Sequence, residues 1–188
     1  MSRHIPTATL CLAFCALYFA GPAGAIDDRF DPSKYDKGGF AAVSDPAYAS
    51  ECGSCHFAYL PGMLPARSWQ ALMARSDHFG ESLSLSPEVA RNIERFLVSH
   101  AADRSEYRGS EVILYRLPAD AAPTRITALP VMREHHVVIR KLQQESRLGV
   151  RNLTNCDSCH EKAAAGSFAF SEIVVHGVTK VVRPGGMF

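Results

Sequence analysis

Four cysteines and two histidines fall into two copies of one five-residue pattern. The copies are CGSCH and CDSCH, which supply Cys52, Cys55, His56, Cys156, Cys159 and His160. This C-x-x-C-H pattern is typical of covalent haem attachment, because its two thiols form thioethers with the haem vinyl groups while the following histidine binds the iron. The spacing suits one haem, since a helical turn brings both sulfurs to one porphyrin edge and the imidazole beneath it. The sequence therefore predicts two c-type haems.

Other uses of paired cysteines explain less of this pattern. Two C-x-x-C pairs would suit a zinc site, two disulfides or a thioredoxin-like redox centre. None of these requires a histidine directly after each pair, and a redox pair is not expected twice in one chain. A zinc or disulfide module would also be colourless. Two covalent haems are therefore our interpretation of the six residues.

The first 25 residues have the layout of a secretory signal. Arg3 precedes an apolar run over residues 8–20, and Gly21-Pro22 ends that run before three small residues. A charged start, a short apolar stretch and a small-residue exit are the features that signal peptidase recognises. We expect removal of residues 1–25, a mature chain that begins at Ile26, and export to the periplasm.

Removal of this segment changes the cysteine count and the charge. The chain of 188 residues has six cysteines, and Cys11 and Cys15 lie within the signal. A lipid anchor on Cys15 is disfavoured by the bulky Phe14 before it.

The 20 basic and 19 acidic side chains would become 19 of each, because only Arg3 is lost. We find no basic stripe that would suit nucleic acid and no later apolar run long enough to span a membrane, so we expect a soluble protein.

Three helices are predicted around the first haem motif. Residues 46–59 should carry the motif, with Pro61-Gly62 as the stop signal, and residues 67–75 should form a second, shorter helix. Ser86 is a natural N-cap for a third helix, which begins with Pro87 and runs to about His100. This order of elements resembles that of class I cytochrome c domains.

The second half has weaker signals. Residues 101–130 lack a helical period and contain one strand-like run at 111–117, so a boundary falls near this segment. A helix follows over residues 131–142, and residues 173–175 and 178–182 are possible short strands. We predict a mainly α fold with two small haem domains. They are a class I-like domain over 26–104 and an irregular domain with few helices over 105–188.

A sixth iron ligand has to be found for the first haem. The candidates are Met63, Met73, His78 and His100. His78 lies in the loop before the third helix, where a class I domain presents its distal ligand. Met63 follows His56 too closely to reach the opposite face easily, Met73 shares a stripe with core residues, and His100 lies at a helix end. We favour His78.

The second haem has a different set of candidates, namely His135, His136, His176 and, less favoured, Met132. On one continuous helical wheel, His135 falls on the apolar face with Val131 and Val138, whereas His136 lies nearer the polar side. A histidine on an apolar face is usually a core residue, but here an iron needs a ligand. We favour His135, with His176 as the runner-up.

The residues resemble those of the periplasmic dihaem cytochromes c, which have a class I N-terminal haem domain and an unusual C-terminal one. The resemblance lies in residues 52–69, 78–80, 101–103, 125–127, 133–135 and 155–160. It implies bis-histidine ligation, with His56 and His78 at haem 1 and His160 and His135 at haem 2. It also implies electron transfer between a membrane b-type cytochrome and a small, high-spin, oxygen-binding monohaem cytochrome c. The chain differs by having His136 beside His135 and His176 in the tail.

The functional hypothesis is therefore an electron carrier and not an enzyme. Tyr59 is a candidate aromatic between or beside the haems, and Arg67 is a candidate partner for a haem propionate. Because each haem adds two propionates to a neutral chain, the holoprotein should be acidic and should suit a partner with a basic docking face. The alternative is a dihaem peroxidase or another haem oxidoreductase with one open iron.

Overall fold

Helices joined by short 3-10 turns form the regular structure of this computed structural model, which describes residues 38–145 and 153–175. The α-helices are α1 (Pro46–Gly53), α2 (Ala66–Met73), α3 (Pro87–Ser99), α4 (Arg108–Tyr115), α5 (Pro130–His135) and α6 (Val137–Gln144). Within these ranges the only extended pairing is two isolated bridges, His78 with Glu81 and His160 with Ile173. The predicted mainly α fold class is confirmed. The signal segment, His176 and the run 178–182 lie outside the described residues.

The helix starts follow the capping residues in the sequence. The Asp45 side chain accepts a hydrogen bond of 2.7 Å from the Tyr48 amide at the start of α1. The Ser86 hydroxyl accepts one of 3.3 Å from Val89 at the start of α3, as predicted. Each helix also begins with a proline, whose fixed φ and missing N–H suit the first helical position. Local chemistry is therefore enough to start both helices.

The first helix ends earlier than predicted, at Gly53 rather than near Tyr59. The Ser54 hydroxyl donates to the Glu51 carbonyl at 3.0 Å, and such bonds compete with helix propagation. The end of α1 therefore falls inside the first C-x-x-C-H motif. Its histidine lies outside the helix and is free to point away from the helix axis.

Two predictions in the second half are wrong in detail. Residues 111–117 were expected to be strand-like, but most of them belong to α4, which buries Ile113 and packs against the 3-10 turns Pro61–Met63 and Ala102–Arg104. Packing of that face overrides the β preference of its branched residues. The helix expected over residues 131–142 is broken at His136, where φ is −104° and ψ is 16°.

One hydrophobic core receives side chains from both halves of the chain. Its fully buried centre contains Leu60, Leu64, Trp69, Ile93, Leu97 and Leu129. Ile113, Ile126 and Ala163 from the second half join the same cluster. The described residues all belong to one compact unit. The division into domains at residues 104 and 105 stays a prediction, but the core is continuous across that point.

A short segment before α1, residues 39–40, joins distant parts of the chain. The Gly109 amide of α4 donates to the Gly39 carbonyl at 2.7 Å, and the Phe40 amide donates to the Gly166 carbonyl at 2.9 Å. The Phe40 ring then meets Phe168 edge to face at 5.4 Å. Segment 39–40 therefore connects α4 with the chain that follows the second haem motif.

The helices are all short relative to a bilayer. In the part of the chain that the structure describes, none is long and apolar enough to cross a membrane.

Replacement of Gly166 by alanine should destabilise the fold. Gly166 has a φ of +86°, and an added Cβ would collide with the Phe40 carbonyl oxygen. We expect Gly166→Ala to lower the free energy of unfolding by at least about 1 kcal/mol, since alanine is strained at positive φ. Chemical denaturation of the holoprotein measures the loss. Gly38→Ala is the matched control, because a Cβ there meets nothing within 4 Å, and equal stability of the two variants would contradict the expectation.

Candidate haem sites

The imidazole of the first motif faces a second imidazole. The ring centroids of His56 and His78 are 6.2 Å apart and their planes differ by 18°. A metal lies about 2 Å from each imidazole nitrogen, so two rings on opposite sides of one ion have centroids about 6 Å apart. The spacing of His56 and His78 therefore fits one iron between them.

Hydrogen bonding of His56 and burial of His78 suit these two histidines to binding a metal. Nδ1 of His56 lies 2.7 Å from the Phe57 carbonyl, and because a carbonyl only accepts, Nδ1 must carry the proton and leave Nε2 with its lone pair. Nδ1 of His78 is buried without a hydrogen-bond partner among the described residues. Burial first, and then the charges of His56 and Arg75, lower the pKa of His78. A neutral imidazole is the form that binds a metal.

The other sequence candidates for haem 1 have different roles. Met63 is fully buried in the core, and Met73 packs against that core. His100 ends α3, with its Nδ1 2.9 Å from the Phe96 carbonyl and its ring against Phe96 at 4.6 Å. The structure therefore brings His78 to His56, as the sequence analysis favoured.

A second pair of imidazoles forms at the other motif. The rings of His136 and His160 are 6.1 Å apart with an angle of 67° between their planes, which again fits one iron. Nδ1 of His136 lies 2.8 Å from the Met132 carbonyl, so its Nε2 also keeps a lone pair. Burial first, and then the charge of His136, lower the pKa of His160 to about 4. Burial also lowers the pKa of His136.

The structure places His136, and not the favoured candidate His135, opposite His160. His135 is exposed at the end of α5, whereas His136 is half-buried at the junction of α5 and α6. The helical wheel assumed one continuous helix over residues 131–142. The break at His136 ends that periodicity, and the side chain at the junction is the one that reaches His160. His176, the runner-up, lies outside the described residues, and Met132 packs against the core.

None of the four motif cysteines forms a disulfide, so all four sulfurs can form thioether bonds, and the two motif segments lie close together. Before haem attachment, burial raises the pKa of the Cys52 thiol to about 11 and that of the Cys156 thiol to about 12. A cavity of about 530 Å³ is lined by the first motif and by residues of the second, Asn155, Asp157 and Ser158 among them. Both attachment segments therefore face one open space.

Tyr59 lies beside the first motif. Its ring is 5.1 Å from the His56 ring, and its carbonyl accepts a 2.6 Å hydrogen bond from the buried Tyr48 hydroxyl. Burial is the main cause that raises the pKa of Tyr59. The sequence analysis named Tyr59 as an aromatic beside or between the haems, and the structure places its ring against the histidine of the first motif.

Arg67 has a different set of partners from the one predicted. Its Nε donates to the Ala121 carbonyl and its Nη2 donates to the Pro118 carbonyl at 3.2 Å. These bonds attach the start of α2 to the loop after α4. The guanidinium of Arg67 therefore has a structural role at this loop, and its predicted contact with a haem propionate stays a prediction.

Three neighbours of the histidines were missed in the sequence. Phe168 packs on the His160 ring at 4.9 Å. The guanidinium carbon of Arg125 lies 3.8 Å above the centroid of Phe79, the residue after His78. The motifs containing Phe79 and Arg125 were noted only for their resemblance to a family. No spacing rule in the sequence predicts that these two distant residues meet.

Comparison with known proteins agrees with two haem sites. A family model described as dihaem cytochrome c matches residues 48–168. The chain is 39% identical to a solved diheme cytochrome c from Rhodobacter sphaeroides, with a TM-score of 0.58, 68% of this chain covered and 99% of that one. It is 32% identical to a diheme cytochrome type c from Shewanella baltica OS155, with a TM-score of 0.54 and coverage of 70% and 93%. No curated protein sequence gives a significant match.

The residues present also fit the group that this family carries. Free thiols occur in two C-x-x-C pairs, and each motif histidine has a second imidazole at the spacing of one iron. Nδ1 of His160, like that of His78, is buried without a partner in the described part of the chain. The chain belongs to the dihaem cytochrome c family, and it carries two covalently bound haem c groups.

Proposed function

We propose that this protein is a periplasmic electron carrier in which both haem irons have two histidine ligands. The ligands are His56 and His78 at haem 1 and His160 and His136 at haem 2. The observation that carries the proposal is the centroid spacing of the two imidazole pairs, 6.2 and 6.1 Å. The bound haems supply one-electron redox chemistry.

The protein's part in this function is to fill both axial positions. An iron with two imidazoles has no open site for oxygen or peroxide, so it is suited to electron transfer and not to bond making. Carbonyl contacts to Nδ1 of His56 and His136 fix those two rings in one orientation. Imidazole in place of methionine also favours a lower reduction potential.

Tyr59 is the proposed aromatic between the two haem motifs. Its ring contacts His56, which places a polarisable group beside the first attachment segment. The hydrogen bond from Tyr48 to the Tyr59 carbonyl limits its movement. We infer that Tyr59 contributes to electronic contact between the two haems.

The proposals about the partners and the compartment are supported by the sequence. The order of features in residues 1–25 supports export, and covalent haem motifs are suited to that route. Resemblance to the periplasmic dihaem cytochromes c supports a membrane b-type cytochrome and a small, high-spin monohaem cytochrome c as partners. Four propionates on a chain with balanced charge favour a basic docking face on at least one of them.

Spectra of the oxidised holoprotein test the electron-carrier function. With both axial positions filled, electron paramagnetic resonance should show low-spin haem only, and added hydrogen peroxide should not be turned over. A dihaem peroxidase would instead show a high-spin population at rest together with peroxide turnover. That combination would remove the electron-carrier proposal.

Two single variants test the ligand of haem 2. His136→Ala should convert one of the two haems to a high-spin form, because His160 would lose the imidazole opposite it. His135→Ala is the matched control and should leave both haems low-spin. The reverse result would return the ligand to His135, and no effect from either variant would move it to a residue outside the described part of the chain, such as His176.

A further inference from the structure

The turn that presents His78 has an unusual backbone. Phe79 has a φ of +59° and Gly80 a φ of +103°. Two consecutive positive φ values define the tight two-residue turn that normally carries Asn-Gly or Gly-Gly, because most side chains are strained there. A bulky aromatic at the first of these positions is therefore costly, and the surrounding structure has to maintain it.

Hydrogen bonds close the turn on both sides of the strained residue. The His78 amide donates to the Glu81 carbonyl at 2.8 Å, and the Glu81 amide donates back to His78 at 3.2 Å. The Asp77 carboxylate accepts from the Gly80 amide at 2.8 Å. These bonds would be available to asparagine at position 79 as well, so they do not explain why the residue is phenylalanine.

The ring of Phe79 has two cationic neighbours. The guanidinium carbon of Arg125 lies 3.8 Å from the ring centroid, and that of Arg75 lies 5.2 Å from it. Both distances are within the range of cation–π attraction. Arg75 is itself fixed, since it donates to the Asp77 carbonyl at 2.9 Å and pairs with the Asp77 carboxylate at 3.3 Å.

Arg125 enters this contact from the second half of the chain. It directly precedes the 3-10 turn Ile126–Ala128, whose first residue is buried in the shared core. The backbone at Arg125 is therefore attached to the core, while its side chain reaches out to the turn at residues 78–81. Phe79 is adjacent to His78 in sequence, so a contact on its ring also limits movement of the histidine.

We propose that Phe79 and Arg125 are positioning residues for the sixth ligand of haem 1. The guanidinium of Arg125 holds the Phe79 ring, the ring holds the strained turn, and the turn keeps His78 opposite His56. This inference rests on the proposed role of His78 as an iron ligand. The contact between Arg125 and Phe79 lets the second half of the chain control how readily haem 1 loses His78.

Uptake of carbon monoxide by the reduced holoprotein measures how firmly His78 is held. Carbon monoxide binds a haem with two histidine ligands only after one of them leaves, so its rate reports ligand release. The His78→Ala variant identifies which absorbance change belongs to haem 1. Haem 2 in the same molecule is an internal reference, because general loosening of the fold would change both haems.

Four variants test the ring of Phe79 and the cation of Arg125. Phe79→Gly removes the ring and relieves the strain at positive φ, and Arg125→Gln removes the cation. Both should take up carbon monoxide at haem 1 about tenfold faster than the unmodified protein, with haem 2 unchanged. Phe79→Tyr and Arg125→Lys retain the ring and the charge and should stay near the unmodified rate. Arg95→Gln is the matched control, since Arg95 bonds to Asn92 within its own helix.

The outcomes distinguish the assignment of His78 as an iron ligand from the positioning role of Phe79 and Arg125. If His78→Ala leaves haem 1 low-spin, the ligand assignment fails and the inference fails with it. If His78→Ala gives a high-spin haem 1 but Phe79→Gly and Arg125→Gln keep the unmodified rate, the ligand assignment stands and the positioning role is overturned. An equal rise at both haems also overturns it. Faster uptake at haem 1 alone, in a Phe79→Gly protein that unfolds at an undiminished temperature, supports it.

Discussion

In the proposed ligation, the opposition of two imidazoles across the width of one iron is the constraint on which both haem sites depend. The two pairs have nearly the same centroid spacing, 6.2 Å for His56 with His78 and 6.1 Å for His160 with His136. An attached histidine follows its cysteines directly and is placed by the covalent links. The opposing histidine has no such link, so the rest of the fold must hold it. The second ligand is therefore where the architecture of each half matters most.

The two halves meet this constraint in different ways. At haem 1, a tight turn with a strained Phe79 presents His78, and hydrogen bonds together with two arginines maintain the turn. At haem 2, a break between two helices presents His136. This break costs few backbone hydrogen bonds, since the His136 amide still donates to Met132 at 3.2 Å and its carbonyl still accepts from Arg140 at 2.8 Å. A strained turn needs support from elsewhere in the fold, whereas the helix break is supported by backbone hydrogen bonds to neighbouring residues.

Shared packing explains how two sites of different construction come together. Segment 39–40 bonds to Gly109 on one side and to Gly166 on the other, and the core continues from the first half into the second. The two attachment segments line one cavity, with Tyr59 beside it. Electron transfer between two haems requires them to be close, and here a common core brings both attachment segments to one cavity.

The amino-acid sequence by itself determined the chemistry, because C-x-x-C-H is a local pattern in which five consecutive residues hold all the covalent and proximal ligands. It also determined the start of α3, where Ser86 and Pro87 act through neighbouring backbone groups, and it favoured His78 from its place before that helix. These features depend on bonds and hydrogen bonds between residues near one another in the chain.

Tertiary structure decided the features that depend on distant residues. The branched residues of α4 look strand-like until their buried face meets the turns Pro61–Met63 and Ala102–Arg104. A helical wheel favours His135 until the break at His136 changes which ring faces His160. No local pattern shows that Arg67 bonds to two carbonyls of the loop after α4. In each case the deciding partner is far away in the sequence, and local patterns carry no information about which distant groups the packed chain brings together.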